Sequence, residues 1–175
     1  MSLTVTVASQ PSFKANDPQK SGTYKTGVSG YLKIEADYKG SPVSNLPMHE
    51  DVTTKTTKNG VPATNVKEVV PSDGVTNAKG QVPDKVGMEL TTKTPASPQA
   101  VAGVAADQAN NGYEMTQTQT LTFPGPNGET CTATYGRTLS NVDQNGNLNK
   151  TDSKTGSNYK LTPATQHPKV TEKKK

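Results

Sequence analysis

Residues Tyr31–Pro47 read YLKIEADYKGSPVSNLP, and the first half alternates without a break. Leu32, Ile34, Ala36 and Tyr38 fall on one side; Lys33, Glu35 and Asp37 fall on the other. A period of two, apolar against charged, predicts a strand with one face in a core and one in water. Lys39-Gly40-Ser41-Pro42 interrupts the pattern with turn residues. Val43–Pro47 then leads into a second extended run, so the stretch reads as an early strand and corner of a β-sandwich.

The flanking sequence repeats this grammar. Thr4–Ala8 is a short edge strand, and Ser9–Thr26 is a long loop rich in Lys, Ser, Gly, Asn and Pro. Met48–Lys58 is extended and Thr-rich, with Asn59-Gly60 as a hairpin signal. Val61–Val70 returns as a further strand, with Pro62 confining its start to an edge. Lys85–Lys93 puts Val86, Met88 and Leu90 on one face. Tyr113–Phe123 is the longest alternation, and after Pro124-Gly125-Pro126-Asn127-Gly128 the chain returns through Glu129–Leu139 with Cys131, Ala133 and Tyr135 inward. Gln117 and Gln119 share the apolar side of the outgoing strand, which predicts that its middle lies at a rim or in solvent. Tyr159 and Leu161 add one last short strand.

Composition agrees with an all-β chain. Only 29% of the 175 residues are hydrophobic and 5% aromatic, with no Trp, so the core is small. Thr supplies part of the deficit, because its methyl group packs on a pleated surface while its hydroxyl stays solvated. With Gly 15 and Pro 13, turns are frequent and long helices few. One short helix is predicted within 97–111, where Ser97 suits the N-cap, Pro98 the first helical position and Gly112 the end. The organisation is therefore an all-β antiparallel sandwich over residues 1–162 with a helical insertion at 97–111, then a flexible basic tail, 163–175. Residues 141–175 carry seven lysines against Asp143, Asp152 and Glu172, which accounts for the whole net charge of +4.

Two segments, Tyr38-Lys39-Gly40-Ser41-Pro42-Val43-Ser44-Asn45-Leu46-Pro47 and Val75-Thr76-Asn77-Ala78-Lys79-Gly80-Gln81-Val82, resemble bacterial immunoglobulin-like or transthyretin-like modules of surface and secreted proteins. The first is similar to their Gly-Pro-Val corner after a strand. The second is similar to their "threonine, Asp or Asn, x, x, Gly" turn. The resemblance covers roughly residues 28–93. It implies a sandwich used as a spacer, adhesive or partner-binding module, in a secreted, periplasmic or cell-surface setting. It brings no catalytic residues.

The sharpest constellation is Asn141–Asp152, NVDQNGNLNKTD. Asn141, Asp143, Asn145, Asn147, Asn149 and Asp152 occupy positions 1, 3, 5, 7, 9 and 12 of a calcium-type loop, with Gly146 at 6. Asn at the first position and Asp at the last leave few charges, and the same residues read more simply as a polar Asn-Gly hairpin. Other chemistries find less support. The lone Cys131 excludes an internal disulfide, and neither His49 nor His167 is linked to it in sequence. There is no Gly-x-Ser-x-Gly elbow and no Gly-rich phosphate loop. The basic end of the chain has Tyr159 as its only aromatic, so interleaved stacking on nucleic acid is missing. No apolar run is long enough to span a bilayer. A Lys–Asn isopeptide bond would need Lys33 buried beside an Asn and an acid. The leading expectation is a non-enzymatic interaction, adhesion or spacer module with a protein or cell-surface partner. A calcium- or small-ligand-binding sandwich with its site in the 141–152 loop is the alternative, and an enzyme ranks last.

Overall fold

The computed structural model describes residues 3–8, 12–58, 61–62, 66–68, 73–97 and 113–174. Strands alone form its regular structure, arranged as two antiparallel sheets packed face to face. The first sheet holds β1 (Leu3–Val7), β2 (Ser12–Pro18), β3 (Tyr24–Tyr38), β4 (Ser41–Pro42), β7 (Val66–Glu68) and β9 (Gln81–Thr92). The second holds β5 (Pro47–Lys58), β6 (Val61–Pro62), β8 (Gly74–Val75), β10 (Tyr113–Pro124), β11 (Thr130–Ser140), β12 (Lys160–Thr162) and β13 (Val170–Lys173). Long central strands set the frame: β3 against β9 in one sheet, and β5–β10–β11 in the other.

The Tyr31–Pro47 reading holds. Leu32, Ile34 and Ala36 are buried, Lys33 is exposed, and Tyr38 packs partly buried at the margin of the core. The strand is longer than the alternation suggests, because Tyr24–Gly30 continues it. That extension removes the long loop expected over Ser9–Thr26. Ser12–Pro18 pairs with β3 across a register shift between Lys14 and Asp17, and Asn16 sits there at φ 53°. A bulge breaks the period of two, which is why this edge strand does not alternate in sequence.

The corner is held by Thr76, 2% exposed. Its hydroxyl donates to the Val43 carbonyl (2.5 Å) and accepts from the Leu46 amide (2.9 Å). The Asn77 side chain then accepts from the amides of Lys79 and Gln81, closing the turn into β9. Gly80 has φ 72°, and a Cβ there would stand 2.6 Å from the Ala36 carbonyl oxygen, so only glycine suits the site.

The chain beyond residue 162 differs from the expected tail. Val170–Lys173 pairs with β11, with Cys131 opposite Glu172, and Ala164 is 6% exposed. Lysines mark only the outward positions; Ala164, Pro168 and Val170 turn toward the core or its margin. The last strand also meets the first: the Leu3 amide donates to Glu172 (3.3 Å) and the Val7 amide to the Gln166 carbonyl (2.8 Å). Of the helical insertion at 97–111, only Ser97 falls among the described residues, where there is no helix. No described helix is long and apolar enough to cross a membrane.

Candidate functional site

The inward faces of the two sheets are not uniformly apolar. Glu50 follows Met48 on the inward side of β5, and Asp84 lies between Val82 and Val86 on β9. Gln117 and Gln119 lie between Met115 and Leu121 on β10; Arg137 lies between Tyr135 and Leu139 on β11. All five polar residues are 2% exposed or less. They form a belt across the sandwich with one apolar cluster on each side. One cluster contains Ile34, Val82, Leu121 and Phe123; the other contains Val28, Met88, Leu90 and Met115. The expectation that Gln117 and Gln119 mark a rim is thus reversed: they are in the interior because other polar groups meet them there.

The belt is hydrogen-bonded in a definite pattern. Arg137 Nη1 donates to both amide oxygens, Gln117 Oε1 and Gln119 Oε1, at 2.6 Å each. Gln119 Nε2 donates to Asp84 (2.7 Å) and Glu50 (3.2 Å), and Gln117 Nε2 donates to the Gly87 carbonyl (3.1 Å). The Tyr135 hydroxyl donates to Asp84. Asp84 and Gly87 belong to the first sheet and their partners to the second, so the belt stitches the layers together. Burial lowers the Arg137 guanidinium pKa, against the opposing pull of Tyr135, Asp84 and Glu50. Burial also raises the Tyr135 phenol, with the charge of Asp84 and its hydrogen bond acting the same way, so the phenol stays a neutral donor. Buried between the sheets, the belt holds charge and register.

The expected calcium loop is a pair of turns. Asp143 Oδ1 accepts from the amides of Asn145 (2.8 Å) and Asn147 (3.0 Å), and Gly146 takes φ 78°. Val142 bridges to Leu148, completing an Asn-Gly hairpin. Asp152 belongs to the next turn, where its Oδ1 accepts from the Lys154 amide (2.7 Å). Asn141 is buried at 0% exposure, whereas Asp143, Asn145, Asn147 and Asp152 face solvent. Asn149 Nδ2 is directed to the carbonyls of Ser140 (3.2 Å) and Asn158 (3.1 Å). The residues are therefore neighbours in the chain, but the two carboxylates serve different turns. Among the described residues no group of three His, Cys, Asp or Glu side chains is placed to hold a metal ion.

These turns belong to a packed end of the molecule. Asn16 Oδ1 accepts from the Ala96 amide (2.7 Å), and the Ser157 hydroxyl donates to the Ala96 carbonyl (3.3 Å). Buried polar groups thus join β2, the chain after β9 and the 141–158 segment. The opposite end carries an exposed cluster, His49 between Asp73 (2.7 Å) and Asp51 (3.4 Å), beside an open cleft lined by Pro47, Val75 and Pro124. Glu50 and Asp51 point to opposite faces, as adjacent strand residues must. Lys33 is exposed, away from the buried position an isopeptide bond would need.

The belt is not apparent in the sequence because its residues lie on four strands far apart in the chain. The available signal is one of parity: Glu50, Asp84, the Gln117–Gln119 pair and Arg137 each stand in register with apolar residues on the inward face of their strands. No family model matches this chain, and no curated protein or solved structure gives a match.

Proposed function

We propose that the chain is a non-enzymatic binding module of a bacterial envelope or secreted protein, an immunoglobulin-like sandwich that offers one loop-bearing end to a protein or cell-surface partner. The observation that carries this reading is the antiparallel apposition of the first and last strands. Leu3 lies beside Glu172, and Val7 beside Gln166. Any chain continuing from the two ends would leave from the same end of the sandwich. A spacer in a tandem stalk extends its array when entry and exit lie at opposite ends. The opposite end carries the Gln19–Thr23 turn, residues 93–97 and the two turns of 141–158, with Leu148 48% exposed. Loops held on a rigid sandwich are the usual place for recognition.

The test is adhesion of the chain, immobilised through its C-terminus, to bacterial envelopes and to extracellular matrix proteins. The reading expects saturable binding that Leu148→Glu weakens at least tenfold while Val75→Glu, at the other end, leaves it intact. Binding abolished equally by both, or by neither, would defeat the assignment of the free end.

A further inference from the structure

Within the belt, the hydrogen-bond accounts of two charged side chains do not close. Arg137 spends Nη1 on the two glutamine oxygens, while its Nε and Nη2 are buried without a protein partner. Asp84 accepts from Gln119 and Tyr135 through Oδ2, while Oδ1 is buried without one. Both side chains are at least nine-tenths buried: Arg137 is 2% exposed and Asp84 0%. Burying charged groups with bonds unmade costs several kcal/mol, roughly the margin by which a domain is stable.

The leftover groups are complementary, N–H donors on the guanidinium and lone pairs on the carboxylate. Their separation follows from the strands that carry them. Arg137 and Tyr135 are neighbours on the inward face of β11, and the guanidinium carbon stands 5.8 Å from the Tyr135 ring centroid. Tyr135 reaches Asp84 across the sandwich, and the hydrogen bonds of Arg137 Nη1 go to the glutamines. The glutamine amides are spacers: their oxygens face the cation and the Gln119 nitrogen faces the carboxylates.

We propose that the belt is a binding site for internal water, with ordered water joining Arg137 Nε and Nη2 to Asp84 Oδ1. Water is the ligand whose size and mixed donor–acceptor character suit this chemistry, since one molecule accepts from the guanidinium and donates to the carboxylate. Internal water commonly makes about three hydrogen bonds to buried polar groups. Arg137 and Asp84, already joined through the Gln119 amide, then gain a second link through water, and the network closes. An anion is disfavoured, because two carboxyl groups, Glu50 and Asp84, already stand against the single guanidinium.

The experiment is high-resolution diffraction from crystals of the full chain. The expected result is water density within hydrogen-bond distance of both Arg137 and Asp84. A direct Arg137–Asp84 pair, protein groups on all three atoms, or a dry gap would each overturn the proposal. In solution, the Arg137 Nε–H proton should show a cross-relaxation peak to long-lived water that an exposed arginine lacks, and its loss in Asp84→Leu, if that variant folds, would place the water between the two residues. Absence of the peak in the wild-type chain counts against the proposal without any variant being needed.

Discussion

Arg137 organises the interior, and its removal is the most informative single change. Arg137→Met keeps the volume of the side chain but leaves both glutamine oxygens without their donor and two carboxyl groups without a cation. Removing one partner from a buried charged network costs about 3–5 kcal/mol. Urea unfolding should show this loss, and adding Glu50→Gln and Asp84→Asn to Arg137→Met should recover part of it by withdrawing the uncompensated charge. A recovery of zero would mean that the carboxyl groups are insensitive to the guanidinium. On the surface, His49 is the group to titrate. Its pKa is raised, first by the hydrogen bond to Asp73 and then by the charges of Asp73 and Asp51. A histidine with a raised folded-state pKa contributes stability that is complete below the unfolded value of about 6.5. The contribution disappears as pH rises through the higher folded value. The imidazole resonances should therefore titrate above the free histidine midpoint, and Asp73→Asn should move that midpoint down. Because His49 is fully exposed to solvent screening, the unfolding free energy should move little.

Among the elements, the turn from Thr76 to β9 shows how a short motif becomes structure. Gly80→Ala would place a methyl group 2.6 Å from the Ala36 carbonyl oxygen at a residue with positive φ. The cost should be about 1–3 kcal/mol, read as a fall in the urea midpoint with unchanged slope. Gly128→Ala is the control: φ is 82°, but a Cβ there meets nothing within 4 Å, so only the backbone part of the penalty remains. Equal losses in the two variants would remove the steric argument. This turn was legible in sequence, as were the second half of β3, most of β9 and the β10–β11 hairpin, because long strands with one wet face repeat their signal over many residues. Two elements were not legible, each for a physical reason. The bulge at Asn16 breaks the parity of β2, and β13 puts charges outward on a strand too short to alternate visibly. The belt is hidden for a third reason: partners such as Asp84 and Gln119 are 35 residues apart in the chain, so nothing local pairs them.

For the whole molecule, the decisive property is that the sandwich is closed by its own last residues. β13 lies on β11, meets β1 across the gap between the sheets, and brings Ala164 and Val170 against the core. A basic tail in water would contribute nothing to folding. A strand covering apolar surface contributes about 1.5–3 kcal/mol for each fully buried aliphatic side chain, and less for a small one such as Ala164. Ending the chain at Thr162 should therefore lower the unfolding free energy by about 2 kcal/mol or more. It should also open the flank of β11 that Cys131 shares with Glu172. The buried Cys131 thiol supplies a local reporter: it should react slowly with a thiol reagent in the full chain and at least tenfold faster after truncation. Lys173→Glu and Lys174→Glu in the full chain separate charge from packing, since both side chains are exposed and their reversal should leave stability and thiol reactivity unchanged. If truncation had no more effect than charge reversal, the last strand would not be part of the fold in solution. The shared exit of the two chain ends would go with it, and with that exit the argument for a free, partner-facing end.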